Sequence, residues 1–190
     1  FNIQLMESDY YPLEGMSLIK IAEKLTKNLS LNKSQLEKIV EAKKSFFNLI
    51  SSNKKINFYS NVIPFINLLS KNKIPIGLVT ASHLSQIKAT LDNSFLKKFG
   101  IIISGDQVEN SKPHPDSYLK AIKFFNHSSN QCIVIENSPL GIKSAKSAKT
   151  YCIAIASTNT KEKLLEADEV INNFNEINHC TSIKEILNNK

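Results

Sequence analysis

Residues 132–136 read Cys-Ile-Val-Ile-Glu and Asn137 follows, so an apolar run passes directly into a carboxylate and an amide. Oxygen donors at the end of a buried strand are the hard type that holds magnesium, an ion that keeps several waters and takes few protein ligands. Ser138 and Pro139 then fit the N-cap and first position of a helix. An acid beside a helix N-terminus is also favourable through the helix dipole alone. A second polar set, Thr80, Ala81 and Ser82, follows the apolar run 74–79. Two hydroxyls and backbone N–H groups at the start of a helix suit an anion such as phosphate, and they suit a plain helix cap at Ser82 equally well. The third group is Lys112 in Ser-Lys-Pro-His-Pro, residues 111–115. Pro113 confines the lysine to extended backbone, and Pro115 suits the first turn of a helix. A lysine held there can offset charge on a phosphoryl group, although it is one of 24 basic residues, and His114 reads as a loop residue.

Each set needs an element to position it. From residue 60 onward apolar strands alternate with helical patterns. Strands are expected at 74–79, 101–104, 132–136 and 151–156, with helices over 62–72, from about 84, over 115–125 and over 139–149. That alternation predicts right-handed βαβ units around a parallel sheet covered on both faces. In such a sheet polar chemistry collects beyond the carboxyl ends of the strands, where all three sets stand. Gly141, Ala145 and Ala148 would let the helix after Pro139 lie close to the sheet. Lys149 falls where a left-handed residue is expected to end that helix. Before about residue 58 the spacing of Leu18, Ile19, Ile21, Ala22 and Leu25, and of Leu36, Ile39, Val40, Phe46, Phe47 and Ile50, is helical and no strand is evident. The lysine- and asparagine-rich stretch 51–57 is the expected hinge between the two parts.

Composition narrows the function classes. The 190 residues are 42% hydrophobic and 22% charged, ordinary globular material. No apolar run approaches the roughly 18 residues that span a bilayer and no charged-then-apolar leader is present, so no membrane partner and a cytoplasmic protein are expected. Cys132, Cys152 and Cys180 are far apart and form no Cys-x-x-Cys, which predicts reduced thiols. The net charge of +7 comes entirely from lysine. Readers of duplex DNA lean on the guanidinium fork, and the pairs Lys43-Lys44, Lys54-Lys55 and Lys97-Lys98 are scattered, so solvated faces are expected and no nucleic-acid partner.

The three sets in this order resemble the signatures of the haloacid dehalogenase superfamily of phosphatases and phosphomutases, in the branch similar to β-phosphoglucomutase. Thr80 in LVTAS looks like the second signature, Lys112 in SKPHPDSYL the third, and Glu136 with Asn137 in VIENSPLGIKSA the fourth. The resemblance implies a Rossmann-like core of parallel strands over residues 59–190 and a helical cap domain over residues 1–58. It implies catalytic roles for Lys112 and Thr80, a phosphate site at Thr80, Ala81, Ser82 and Lys112, and Mg2+ held by Glu136 and Asn137. Gly15, Ser17, Lys43 and Lys44 are the cap residues expected to meet a small phosphorylated substrate, in a protein expected to be a monomer.

Three departures from the family pattern shape the expectation further. The strand ending in Asp-x-Asp, which carries the nucleophile in that family, has no counterpart here. Glu7 and Asp9 follow no apolar strand and are not substitutes. In the family's sheet that strand lies between those ending at Val79 and Glu136. Leaving it out orphans buried backbone groups at about 1 to 3 kcal/mol each, against a net stability of about 5 to 15 kcal/mol. The nucleophile is therefore expected upstream of residue 1. Asn137 stands where an aspartate is usual, and Leu18 where sugar phosphomutases of this branch have an arginine. The amide removes one negative charge and is expected to weaken the hold on the ion without abolishing the site, while the missing arginine favours hydrolysis, by a magnesium-dependent phosphatase acting through an aspartyl-phosphate. A sugar phosphomutase and a non-catalytic protein of the same fold are the alternatives.

Overall fold

The structure is a computed structural model that describes residues 4–51 and 57–188. The expected hinge, apart from its end residues 51 and 57, lies outside the described residues. Helices α1 (Glu7–Tyr10), α2 (Leu18–Leu25) and α3 (Lys33–Ser51) come first and include no strand among the described residues. Asn32 caps α3: its Oδ1 accepts from Gln35 N–H at 3.0 Å and Gln35 Oε1 accepts from Asn32 N–H at 2.9 Å, a reciprocal capping box. Ile21, Ala22 and Leu36 are buried, as helical spacing of apolar residues leads one to expect, whereas Phe46 and Ile50 toward the end of α3 are exposed.

The alternating part follows as α4 (Val62–Lys71), β1 (Gly77–Val79), α5 (Leu84–Thr90), α6 (Asn93–Leu96) and β2 (Ile101–Ile103). It continues through α7 (Asp116–Phe125), β3 (Ile133–Glu136), α8 (Pro139–Ser147), β4 (Tyr151–Ile155), β5 (Glu169–Ile171) and α9 (Thr181–Asn188). All pairings are parallel, in one sheet of order β1-β2 and a second of order β3-β4-β5. The expected strands are present, some shorter by a residue or more, and β5 is additional. β4 is sandwiched: Cys152 and Ala154 face a layer with Ile142, Ala145 and Leu164, while Ile153 and Ile155 face Phe65, Ile177 and Ile183. Burial on both faces is what turns a parallel strand into a continuous apolar run.

The parallel strands fall into two sheets, divided between β1 and β3, where the strand without a counterpart is expected to lie. β1 pairs only with β2 and β3 only with β4, so each keeps an unpaired edge among the described residues. Between them runs an apolar slot of about 320 Å³, lined by Ile76, Leu78 and Val79 on one side and Ile133, Val134 and Ile135 on the other. Edge N–H and C=O groups such as those beside it normally find a strand, a helix or water.

Helix α8 lies against the sheet as its small residues predict. Ala145 is fully buried, and a Cβ added at Gly141 would overlap the Glu136 carboxylate, so only glycine admits the helix there. The helix closes in a Schellman motif. Lys149 sits at φ 60° and donates to Lys146 C=O at 3.0 Å, and Thr150 donates to Ala145 C=O at 3.2 Å. The left-handed lysine is as expected from its position. Cys152 is buried and the three cysteines are free thiols. Burial, with help from the Glu136 and Asp168 carboxylates, pushes the Cys152 thiol up to about 12. No helix among the described residues is long and apolar enough to cross a membrane.

Candidate active site

The carboxyl ends of β1 and β3 and the loop after β2 meet at one cleft of about 260 Å³. Thr80, Ala81, Ser82, Lys112, Glu136 and Asn137 all line it, and from the N-terminal helices Glu14, Gly15, Met16, Leu18 and Lys43 close its other side. Val79 and Ile135 line both this cleft and the apolar slot, so the two cavities adjoin.

The Thr80 loop is held from two directions. Thr80 N–H donates to Ile103 C=O at 2.9 Å, continuing the β1–β2 ladder by one residue, and Thr80 Oγ1 accepts from Ser82 N–H at 3.1 Å. Gly105 N–H donates to Ser82 C=O at 2.9 Å, and a Cβ at 105 would overlap the Ala81 carbonyl, so the loop after β2 packs against residues 81–82 backbone to backbone. Ser82 does not cap the helix. The N-cap of α5 is His83, whose N–H donates to Gln86 Oε1 at 3.3 Å, while Asp106 Oδ1 accepts from Leu84 N–H at 3.0 Å. With capping done by its neighbours, the Ser82 side chain is exposed and left facing the cleft.

Lys112 and Glu136 form a buried ion pair, each side chain only 7% exposed. Lys112 Nζ reaches Glu136 Oε1 and lies 3.1 Å from Tyr118 Oη, which donates to the same carboxylate oxygen. Tyr118, on the inner face of α7, was not singled out by the sequence. Six residues beyond Lys112 it reads simply as core. The other oxygen, Oε2, accepts from Asn137 N–H at 3.1 Å, from Ser138 N–H at 3.4 Å and from Ser138 Oγ at 3.3 Å. Ser138 in turn caps α8, its Oγ accepting from Gly141 N–H at 3.1 Å.

Burial alone would raise the Glu136 pKa, but the Lys112 ammonium and the Tyr118, Lys112 and Asn137 hydrogen bonds outweigh it and hold the carboxyl below its ordinary 4.5. Tyr118 moves the opposite way, well above 10.0, through burial and then the adjacent Glu136 charge. A carboxyl depressed on folding stabilises the protein above its ordinary pKa and loses that contribution as pH falls through its lower folded value. Tyr118→Phe, which removes one donor, is expected to lower stability at pH 7 by about 1.5–3 kcal/mol. It should also shrink the stability difference between pH 7 and acid; urea unfolding at several pH values measures both.

The cap-side expectations divide. Gly15 packs on the core: a Cβ there would lie 3.4 Å from Ser138 Oγ and 3.5 Å from Lys112 Cδ. Lys43 lines the cleft, with its pKa lowered by desolvation and its ammonium 5.4 Å from the Phe47 ring centroid. Ser17 and Lys44 do not line the cleft. Ser17 is the N-cap residue of α2, and Lys44 pairs with Glu41 at 2.7 Å one turn earlier on α3. Adjacent helical residues diverge by about 100° around the axis, so one of the two lysines had to turn away. Tyr10, Glu14 and Gln86 join the lining without having been anticipated.

Glu136 and Asn137 carry hard oxygens of the type that would suit magnesium. Oε2 of Glu136 is the better placed, since its present partners are neutral. Among the described residues no group of three or more His, Cys, Asp or Glu is arranged to hold a metal, so this pair is a partial donor set.

The family profile of haloacid dehalogenase-like hydrolases matches residues 1–155. The chain belongs to that family. Among its relatives, the validoxylamine A 7'-phosphate phosphatase of Streptomyces hygroscopicus subsp. limoneus is 30% identical over 113 residues, 59% of this chain and 53% of the relative. The bifunctional riboflavin kinase/FMN phosphatase of Arabidopsis thaliana is 31% identical over 144 residues, 74% of this chain and 38% of the relative. The chain thus spans about half, or less, of the length of these curated relatives. In fold it is similar to a β-phosphoglucomutase from Clostridium difficile, with TM-score 0.82 and 22% identity over 99% of this chain and 84% of that one. It is also similar to a haloacid dehalogenase family IA hydrolase from Entamoeba histolytica, with TM-score 0.76 and 28% identity over 96% of this chain and 84% of that one. The α/β fold with parallel strands flanked by helices is the one these hydrolases share.

Proposed function

We propose that the cleft hydrolyses the phosphomonoester of a small metabolite with Mg2+, through an aspartyl-phosphate formed on an aspartate supplied from outside residues 1–190. One observation carries the reading: Thr80, Ser82, Lys112, Glu136 and Asn137 converge on a single cleft, and the apolar slot between β1 and β3 adjoins it at Val79 and Ile135. An extended apolar strand in that slot would pair with both free edges and deliver its last residues to the cleft, where the nucleophile belongs in the family this chain resembles. The Thr80 and Ser82 hydroxyls and the Ala81 amide would orient the phosphoryl group, the Ser82 amide being held by Thr80 Oγ1, and Lys112 would balance charge developing on its oxygens. Glu136 and Asn137 would hold magnesium, which when bound neutralises phosphoryl oxygens as a Lewis acid. Glu136 also holds the Lys112 side chain in place through their buried ion pair.

In this reading residues 1–58 are the cap that excludes water and selects the substrate, and residues 59–190 the core. Lys43 is the basic side chain that the cap brings to the cleft, opposite the acidic Glu14, and Leu18 stands beside them. That inventory offers one cation to a substrate's distal end, which suits a monophosphate better than a bisphosphate and favours hydrolysis over phosphoryl shuttling. The phosphatase names of the relatives support the same choice. The test is phosphate release by the whole protein, including any residues upstream of Phe1, from p-nitrophenyl phosphate and a panel of sugar and polyol monophosphates. Release with Mg2+ and its loss in EDTA are expected. Absence of release from every ester, or equal release in EDTA, would reject the reading, and an absolute requirement for a bisphosphate would favour the mutase.

A further inference from the structure

Glu14 stands between the turn Tyr11–Leu13 and α2, 123 positions from Asn137 and 144 from Thr158. Its two carboxylate oxygens nevertheless reach the core rim. Oε1 accepts from Asn137 Nδ2 at 3.2 Å and Oε2 accepts from Thr158 Oγ1 at 3.0 Å. Thr158, just beyond β4, completes a closed set: its hydroxyl accepts from Asn137 Nδ2 at 2.9 Å and from Asn159 Nδ2 at 3.3 Å while donating to Glu14. One donor and two lone pairs exhaust that hydroxyl, and both amide hydrogens of Asn137 are likewise committed. The amide orientation is therefore fixed by its partners, because the reverse would face a carbonyl oxygen toward a carboxylate.

This set explains the amide at 137. An aspartate there would bring a second carboxylate to hydrogen-bonding distance of Glu14 with no proton between them, and like charges so placed force one to take up a proton or the two to separate. We propose that Glu14 is a positioning residue that latches the N-terminal helices to the core rim through Asn137 and Thr158, and that the latch requires the amide at 137. Because the latch spends both amide hydrogens, Asn137 Oδ1 remains as that side chain's acceptor on the cleft it lines. Its service to a metal rests on the phosphatase reading; the latch itself does not.

Hydrogen–deuterium exchange of the segment 14–25 in the full chain, without ligand, tests the latch. Glu14→Ala and Asn137→Asp are each expected to speed exchange there at least about tenfold, the factor that loss of even one hydrogen bond to a charged group gives. The exchanged pair Glu14→Gln with Asn137→Asp, in which the amide and the acid trade sides, should return exchange to within about twofold of the original, as coupled neighbours in a double-mutant cycle do. Thr158→Val should move the same segment in the same direction and stands in should Asn137→Asp fail to fold. Unchanged exchange in Glu14→Ala, or an exchanged pair that sums the two single effects, would overturn the latch. Titration with Mn2+ alone separates the two readings: rescue of exchange with no Mn2+ binding in any variant upholds the latch and rejects the metal site.

Discussion

Lys112→Ala is expected to abolish phosphate release and to destabilise the protein by about 3–5 kcal/mol, because it strips a buried carboxylate of its ionic partner. Both effects come from one geometry. Nζ lies between the cleft and Glu136, and side-chain exposures of 7% on each partner leave water little opportunity to compensate. Activity should fall by at least about 10²-fold, the scale for removing one preorganised group from a developing negative charge. Stability and catalysis can be separated. Replacing both partners, Lys112→Met with Glu136→Gln, leaves no buried net charge and retains an acceptor for the Asn137 and Ser138 amides. That double variant should recover most of the lost stability while remaining inactive. If it recovers activity as well, Lys112 serves packing alone; denaturant titration and phosphate assay on the same preparations decide.

The second large effect concerns a residue that touches no ligand in any reading. Gly105→Ala would drive a Cβ into the Ala81 carbonyl, and backbone cannot yield as a flexible side chain tip can. Overpacking of this kind costs about 1–3 kcal/mol. The larger consequence falls on function, since a shift on the order of 1 Å in the loop 80–82 misplaces the groups assigned to the phosphoryl oxygens and can cost about 10²-fold. The expected signature is a variant that folds, melts modestly earlier and loses most of its turnover with less change in KM. A variant with unchanged turnover would mean that the loop tolerates displacement and does not orient the reacting group.

What the sequence disclosed and what it withheld follow physical lines. The ends of β1 and β3, the Ser138 cap, the small residues of α8 and the left-handed Lys149 depend on local chemistry within a few positions, and all are visible in the spelling. β5 was missed because its residues, Glu169–Ile171, are too few for an apolar run and begin with an acid. Glu169 sits in a strand only because its carboxylate is taken by Tyr151, Thr181 and Ser182. Tyr118 and Glu14 acquire their parts through partners 18 and 123 positions away, a distance over which neither periodicity nor motif spacing carries information. The choice of Lys43 over Lys44 turns on helix azimuth, which sequence leaves open until the packing of α3 is known. The division of the sheet is legible only as an absence: nothing in residues 60–171 supplies the strand that two free edges and an apolar slot would accept.

The account stands on the cleft being a phosphoryl site, and tungstate, a tetrahedral phosphate analogue with a strong anomalous signal, locates such a site directly. In crystals of the protein soaked with tungstate and Mg2+, the strongest anomalous peak is predicted between the Thr80–Ser82 loop and Lys112 Nζ, within hydrogen-bond reach of both, and is predicted to vanish in Lys112→Ala. A peak elsewhere, or one that survives Lys112→Ala undiminished, would contradict it.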